Sequence, residues 1–198
     1  EIYDVMALLL TRGADVNARN NQGSTALFNA ASTLDMAAAR LFSTTWCADT
    51  DIKGNRDATP LMVACNSITL STAGGVSTAG RDMCDYLLKR GADVSLTSEN
   101  DKKRTALMRL SRVATGNNAR GWTAEFAAEW KQRMFLLLDV QQNLDYQDQY
   151  QMTALHYLSQ NVHDDHSVVT DVMNRVLTRG ADVDAQSKQG ETALWYAT

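Results

Sequence analysis

The sequence predicts an all-α fold, an α-solenoid of stacked helix-turn-helix units with projecting hairpin loops, and three observations carry that prediction. A Thr followed by a small residue and Leu recurs five times: TALF from Thr25, TPLM from Thr59, TALM from Thr105, TALH from Thr153 and TALW from Thr192. A Gly-Ala-Asp turn or a relic of one precedes each anchor: GADVN at Gly13, CADTD at Cys47, GADVS at Gly91, QQNLD at Gln141 and GADVD at Gly180. The turn lies 12 residues before its anchor in four cases and 14 before Thr105. Repetition at this scale marks units that bury their apolar faces only by stacking on neighbours.

Each element has a local reason to form. The chain opens on Val5, Leu8 and Leu9, apolar at helical spacing, in a helix that runs to Gly13. Each anchor Thr precedes a short apolar run such as ALFNAAS or ALHYLSQ, where its hydroxyl can cap the free N–H groups of a first helix. Pro60 suits the first helical turn, and Ala stands at the same place in the other four units as a good helix former. Second helices follow from Met83, Leu87 and Leu88, from Met134, Leu137 and Leu138, and from Val172, Val176 and Leu177. Gly13, Gly91 and Gly180 end helices where a left-handed cap favours a residue without Cβ. Cys47 and Gln141 stand at the same place, and local strain is expected at both.

With LLLTRGADVNARNNQGSTALFNAA and YLLKRGADV in view, the chain resembles the ankyrin repeat over its whole length. The resemblance implies a half unit at 1–19, repeats at about 20–53, 54–99, 100–147 and 148–186, and a half unit at 187–198, all in one domain. Open half units at both ends lead us to expect that the array continues on either side. Asn17 reads as a structural turn residue, although the resembled family can carry a hydroxylated Asn there.

Several units are stretched between their helices. The distance from anchor to next turn is 22 residues after Thr25 but 32, 36 and 27 in the next three units. The first large insertion, Asn66 to Arg81, is rich in Ser, Thr and Gly and reads as a loop. Its GVSTAGR has the glycine spacing of a phosphate loop, but Arg81 and Asp82 replace the required Lys and Ser or Thr. The second extends a helix capped by Thr123, with Glu125 in its first turn and Phe126, Trp130, Met134 and Leu137 on one face. That face reads as packing, with a docking surface of Trp122 and Trp130 as the alternative. The third holds NVHDDHS, whose His163, Asp164, Asp165 and His166 have ligand chemistry but read as a solvated loop.

Composition excludes several function classes. A net charge of −4 argues against nucleic acid as the main ligand, since phosphate backbones are bound by neutralising Lys and Arg. No apolar run approaches the roughly 20 residues that cross a bilayer. Three cysteines without C-x-x-C spacing fit reduced thiols in an intracellular protein, cytoplasmic or nuclear. G-x-S-x-G, H-E-x-x-H and dinucleotide fingerprints are missing from the sequence. A Cys65–His156 pair is conceivable, but Cys65 takes a small-residue core position and His156 a hydrogen-bonding one. No catalytic residue, cofactor or metal is expected.

A binding surface is the positive reading. The resemblance implies a protein-protein interaction module, or scaffold, that takes a protein partner on its hairpin tips and the concave side of its first helices. The candidates there are Arg56, Lys102, Lys103, Arg104, Arg109 and Arg112, then Tyr150, Met152, Tyr157, Trp195 and Tyr196. Arg and aromatic side chains anchor interfaces most often. We expect an acidic segment at the centre of the groove and an apolar or aromatic anchor toward its C-terminal side. The alternative is a regulatory or substrate-recruiting segment of a larger enzyme, channel or effector.

Overall fold

The computed structural model describes residues 2–67, 78–113, 123–160 and 166–198. Among these, ten α-helices alternate between two rows. The first-helix row holds α2 (Ala26–Thr33), α4 (Pro60–Asn66), α6 (Ala106–Val113), α8 (Ala154–Ser159) and α10 (Ala193–Tyr196). The second-helix row holds α1 (Ile2–Thr11), α3 (Met36–Arg40), α5 (Ala79–Lys89), α7 (Ala124–Val140) and α9 (His166–Thr178). In the first row α2 packs on α4, α4 on α6, α6 on α8 and α8 on α10; in the second, α5 packs on α7 and α7 on α9. Among the described residues there is no strand, only an isolated bridge between Ser98 and Arg104.

The caps form where the anchors predict. The hydroxyl oxygens of Thr25, Thr59, Thr105 and Thr192 accept from the N–H groups of Phe28, Met62, Met108 and Trp195 at 3.1 to 3.4 Å. In the fourth unit the Thr153 N–H instead donates to His156 Nδ1 at 3.1 Å. Because Nδ1 accepts, the ring proton sits on Nε2, which donates to the Glu191 carbonyl of the next hairpin at 3.2 Å. His156 is therefore a joint between units. It does not meet Cys65, whose Sγ lies 3.4 Å from Cys84 Sγ.

The turns show one expected strain and one correction. Cys47 adopts φ 51°, the left-handed conformation that Gly13, Gly91 and Gly180 take at φ 86° to 90°. Gln141 does not: at φ −70° and ψ 117° it leaves the helix extended, so the strain expected there is absent. Its amide donates to the Asn143 carbonyl instead.

Beside the turns a side-chain ladder joins units. Asn17, Asp51 and Asp145 each accept, through Oδ1, the backbone N–H of Asp49, Asp93 and Asp182 respectively, at 2.8 to 2.9 Å. Ser95 holds the corresponding place before the third anchor, in the turn with two extra residues, and its hydroxyl donates within its own turn to Asp93. Asn17 is thus engaged as a structural residue.

The described C-terminal part of the second insertion is helix α7, Ala124–Val140. Over 17 residues α7 buries Ala127, Trp130, Met134, Leu137 and Leu138. The indole N–H of Trp130 donates to the Leu110 carbonyl, so Trp130 belongs to the core and not to a docking surface. The sequence reading missed Arg133. Fully inside, it donates from Nη1 to the carbonyls of Cys65 and Ser67 at the end of α4, satisfying acceptors that a helix terminus leaves open.

Candidate functional site

One position per unit relates the first helices to the hairpins. The residues four after each anchor, Asn29, Val63, Arg109, Tyr157 and Tyr196, form a stripe along the first-helix row, and three of them touch hairpin carboxylates: Arg109 meets Asp101, Tyr157 meets Asp148 and Tyr196 meets Glu191. This is the hairpin-facing side of the array.

The hairpin tips are built from residues in the left-handed region: Gly23, Arg56 and Asp57, Lys102 and Lys103, Gln151, and Gly190. Hydrogen bonds zip neighbouring tips together. Asn55 N–H donates to Ser24 Oγ, Ser98 Oγ to the Arg56 carbonyl, Glu99 N–H to Asp57, Gln149 N–H to the Lys102 carbonyl and Lys188 N–H to the Tyr150 carbonyl, all within 2.7 to 3.0 Å. The hairpin edge is therefore pre-ordered.

The structure divides the sequence-predicted residues into two groups. Arg104, Met152 and Tyr157 are interior, which corrects their reading as accessible contacts. Arg104 sends Nε and Nη2 to the Tyr157 oxygen at 3.0 and 2.9 Å and Nη1 to Asp101 at 2.9 Å. Tyr157 donates its own proton to Asp148, whose other oxygen accepts from the Tyr150 and Met152 N–H groups. Burial works against the Arg104 charge, yet the Tyr157 bond, Asp101 and Asp148 hold its pKa above the ordinary value. Burial, then the bond to Asp148, pushes the Tyr157 phenol up.

The second group stays within reach of a partner. Arg56, Lys103 and Arg112 are exposed, and Lys102 and Tyr150 are half-buried. The Lys102 ammonium lies 4.6 Å from the Tyr150 ring centroid, a favourable cation–π position, and the hydrogen bond of Lys102 to the phenol, then that of Gln149, lowers the Tyr150 pKa. Lys103 pairs loosely with Glu99 across 3.9 Å, a contact of little worth at this exposure. Toward the C-terminal side, Trp195 is 57% exposed and stands edge-on to half-buried Tyr196, whose ring in turn meets His156.

Arg109 belongs to neither group cleanly. Its Nε lies 3.0 Å from Asp101 Oδ2, yet Nε and Nη1 are buried and make no hydrogen bond. Each buried donor left this way costs about 1–3 kcal/mol. Burial pulls the Arg109 pKa down, with Arg104 and Arg56 adding like charge against Asp101.

The Trp122 alternative, the first three residues of GVSTAGR and the side chains of 163–166 lie outside the described residues. No group of His, Cys, Asp and Glu among the described residues could hold a metal ion, and none of their helices is long and apolar enough to cross a membrane.

Comparison with known proteins adds three findings. A family model for ankyrin repeats, three copies, matches residues 2–98. An ankyrin repeat protein, EF0377, superposes with a TM-score of 0.74 at 19% identity, over 100% of this chain and 85% of its own. A chain from the complex of the predatory endopeptidase Bd0816 of Bdellovibrio bacteriovorus with the immunity protein Bd3460 gives a TM-score of 0.70 at 22% identity, over 98% of this chain and 84% of its own. No curated protein matches the sequence.

Proposed function

The chain belongs to the ankyrin-repeat family, whose repeats are protein-interaction modules, and we propose that it is a scaffold holding a protein partner against its hairpin tips and hairpin-facing helix side. The observation that carries this reading is the contrast between framework and stripe. The anchor Thr and the Leu two residues on recur in every unit, whereas the stripe runs Asn29, Val63, Arg109, Tyr157, Tyr196, four residue types at five positions. Tyr157 serves the fold itself, but varied positions beside it on a pre-ordered edge are where recognition is placed.

The partner chemistry follows from the two ends of the accessible group. Arg56, Lys102, Lys103 and Arg109 at the centre favour an acidic segment. Trp195 and Tyr196 favour an apolar or aromatic anchor beside it. The match to a chain from a protein-protein complex fits a protein partner. The scaffold acts without chemistry of its own, and its three free thiols suit an intracellular setting, cytoplasmic or nuclear.

Selection of a displayed random dodecapeptide library on the immobilised chain tests the proposal. Enriched peptides should combine acidic residues with an aromatic one, and changing Lys102 and Lys103 to Glu should abolish their capture while leaving the melting curve in place. A selection that enriches nothing sinks the module reading.

A further inference from the structure

We propose that Arg109 is the carboxylate receptor of this groove, taking an Asp or Glu side chain of the partner where it crosses α6. The proposal rests on the interaction-module reading above and names the residue and ligand chemistry at its centre.

Two arginines near Asp101 make the case by contrast. Arg104 is complete: its Nε and Nη2 donate to Tyr157 and its Nη1 to Asp101 Oδ1. Arg109 is unfinished. Among the described residues Asp101 Oδ2 stands beside it, close to Nε but out of line for a hydrogen bond, and neither Nε nor Nη1 has an acceptor. A purely structural arginine would be expected to have its planar fork filled, as Arg104 has.

Local charge points the same way. Arg104 and Arg56 act on the Arg109 guanidinium as like charges, and the carboxylates paired with Arg104 and Arg109 among the described residues are Asp101 and Asp148, the latter already engaged by Tyr157. The missing complement is an anion with two coplanar oxygens, and on a protein partner that is a carboxylate, which matches the guanidinium fork bidentately. Arg133 and Arg175 also have an unpartnered Nε, but Arg133 Nη1 donates to the Cys65 and Ser67 carbonyls and Arg175 Nη2 to Asp139, whereas two nitrogens of Arg109 go without an acceptor. Arg109 keeps some exposure, with 12% of its side chain open on the hairpin-facing stripe. A carboxylate arriving there can draw the guanidinium outward, so donors that go unpaired in the free protein find acceptors in the complex.

The test uses the whole chain and a fluorescein-labelled, end-blocked hexaglutamate peptide, with hexaglutamine as the uncharged control, read by fluorescence polarisation at low salt. The parent should prefer hexaglutamate. R109M should weaken that binding by about tenfold or more, the loss of a charge-assisted pair, while melting no lower than the parent because it removes donors that lacked acceptors. R109K, which keeps the charge but not the fork, should fall between. The proposal is overturned if the parent shows no preference, if R109M and R109K bind hexaglutamate within twofold of the parent, or if R109M melts markedly lower, which would make Arg109 a stability element. Library peptides that lack acidic residues and bind R109M as well as the parent would remove the carboxylate site and leave the module reading intact.

Discussion

Tyr157 and Arg104 are 53 residues apart in the chain, yet Arg104 donates two N–H groups to the Tyr157 phenol oxygen, at 3.0 and 2.9 Å, inside the protein. The phenol passes its own proton to Asp148, and Asp148 in turn orders the backbone of the fourth hairpin. One hydroxyl thus links the hairpins of the third and fourth units with helix α8.

Replacing Tyr157 with Phe removes that oxygen, which leaves Arg104 Nη2 without its acceptor and Arg104 Nε and Asp148 Oδ2 with only their 3.3 Å ion pair. The expected loss is about 1–3 kcal/mol, the cost of buried groups left unsatisfied. A lower urea midpoint with unchanged far-ultraviolet circular dichroism checks it.

The same phenol makes the fold sensitive to alkali. Burial and Asp148 raise the Tyr157 pKa, and burial and Glu191 raise that of Tyr196. Below the unfolded value of about 10, both states keep the proton and the contribution is fully present. Above it the unfolded chain deprotonates first, so stability falls as pH rises toward the folded values. The urea midpoint should therefore decline from about pH 10 upward, and Tyr157→Phe with Tyr196→Phe should flatten much of that decline.

Two residues at equivalent turns should respond oppositely to Gly. Cys47 holds a left-handed conformation that costs an L-residue about 1–2 kcal/mol. Cys47→Gly should stabilise the protein by about 0.5–1 kcal/mol once the extra freedom of unfolded Gly is subtracted. Gln141 is extended, so Gln141→Gly should only lose stability. Paired thermal melts of the two variants would decide it.

The thiols should separate by reactivity. Cys47 is exposed, while Cys65 and Cys84 are buried in contact with each other. The Cys65 contact, then burial, pushes the Cys84 pKa well up, away from the reactive thiolate. A maleimide reagent should label one thiol in the native chain and three in urea, read by mass. Rapid native labelling of Cys84 would contradict the packing of α4 on α5.

Much of this architecture was legible because its signals are local. A Thr hydroxyl reaches an N–H three residues on, and a Gly relieves strain at its own φ, so Thr25 and Gly13 announce their structures within a few residues. The groove was less legible. Arg104, Met152 and Tyr157 occupy positions where the resemblance implies contact with a partner, but all three are interior, and Arg104 and Tyr157 find each other across 53 residues of chain. Trp130 met the same fate through the Leu110 carbonyl.

The sequence by itself determined the helical solenoid, its caps and its Gly turns, because periodicity and capping act over a few residues. Only the tertiary structure decided which cations were spent on internal partners and which was left unfinished. Arg104 and Arg109 are five residues apart and chemically identical, and what separates them is whether Tyr157 and Asp101, brought together by stacking, present oxygens along their N–H directions.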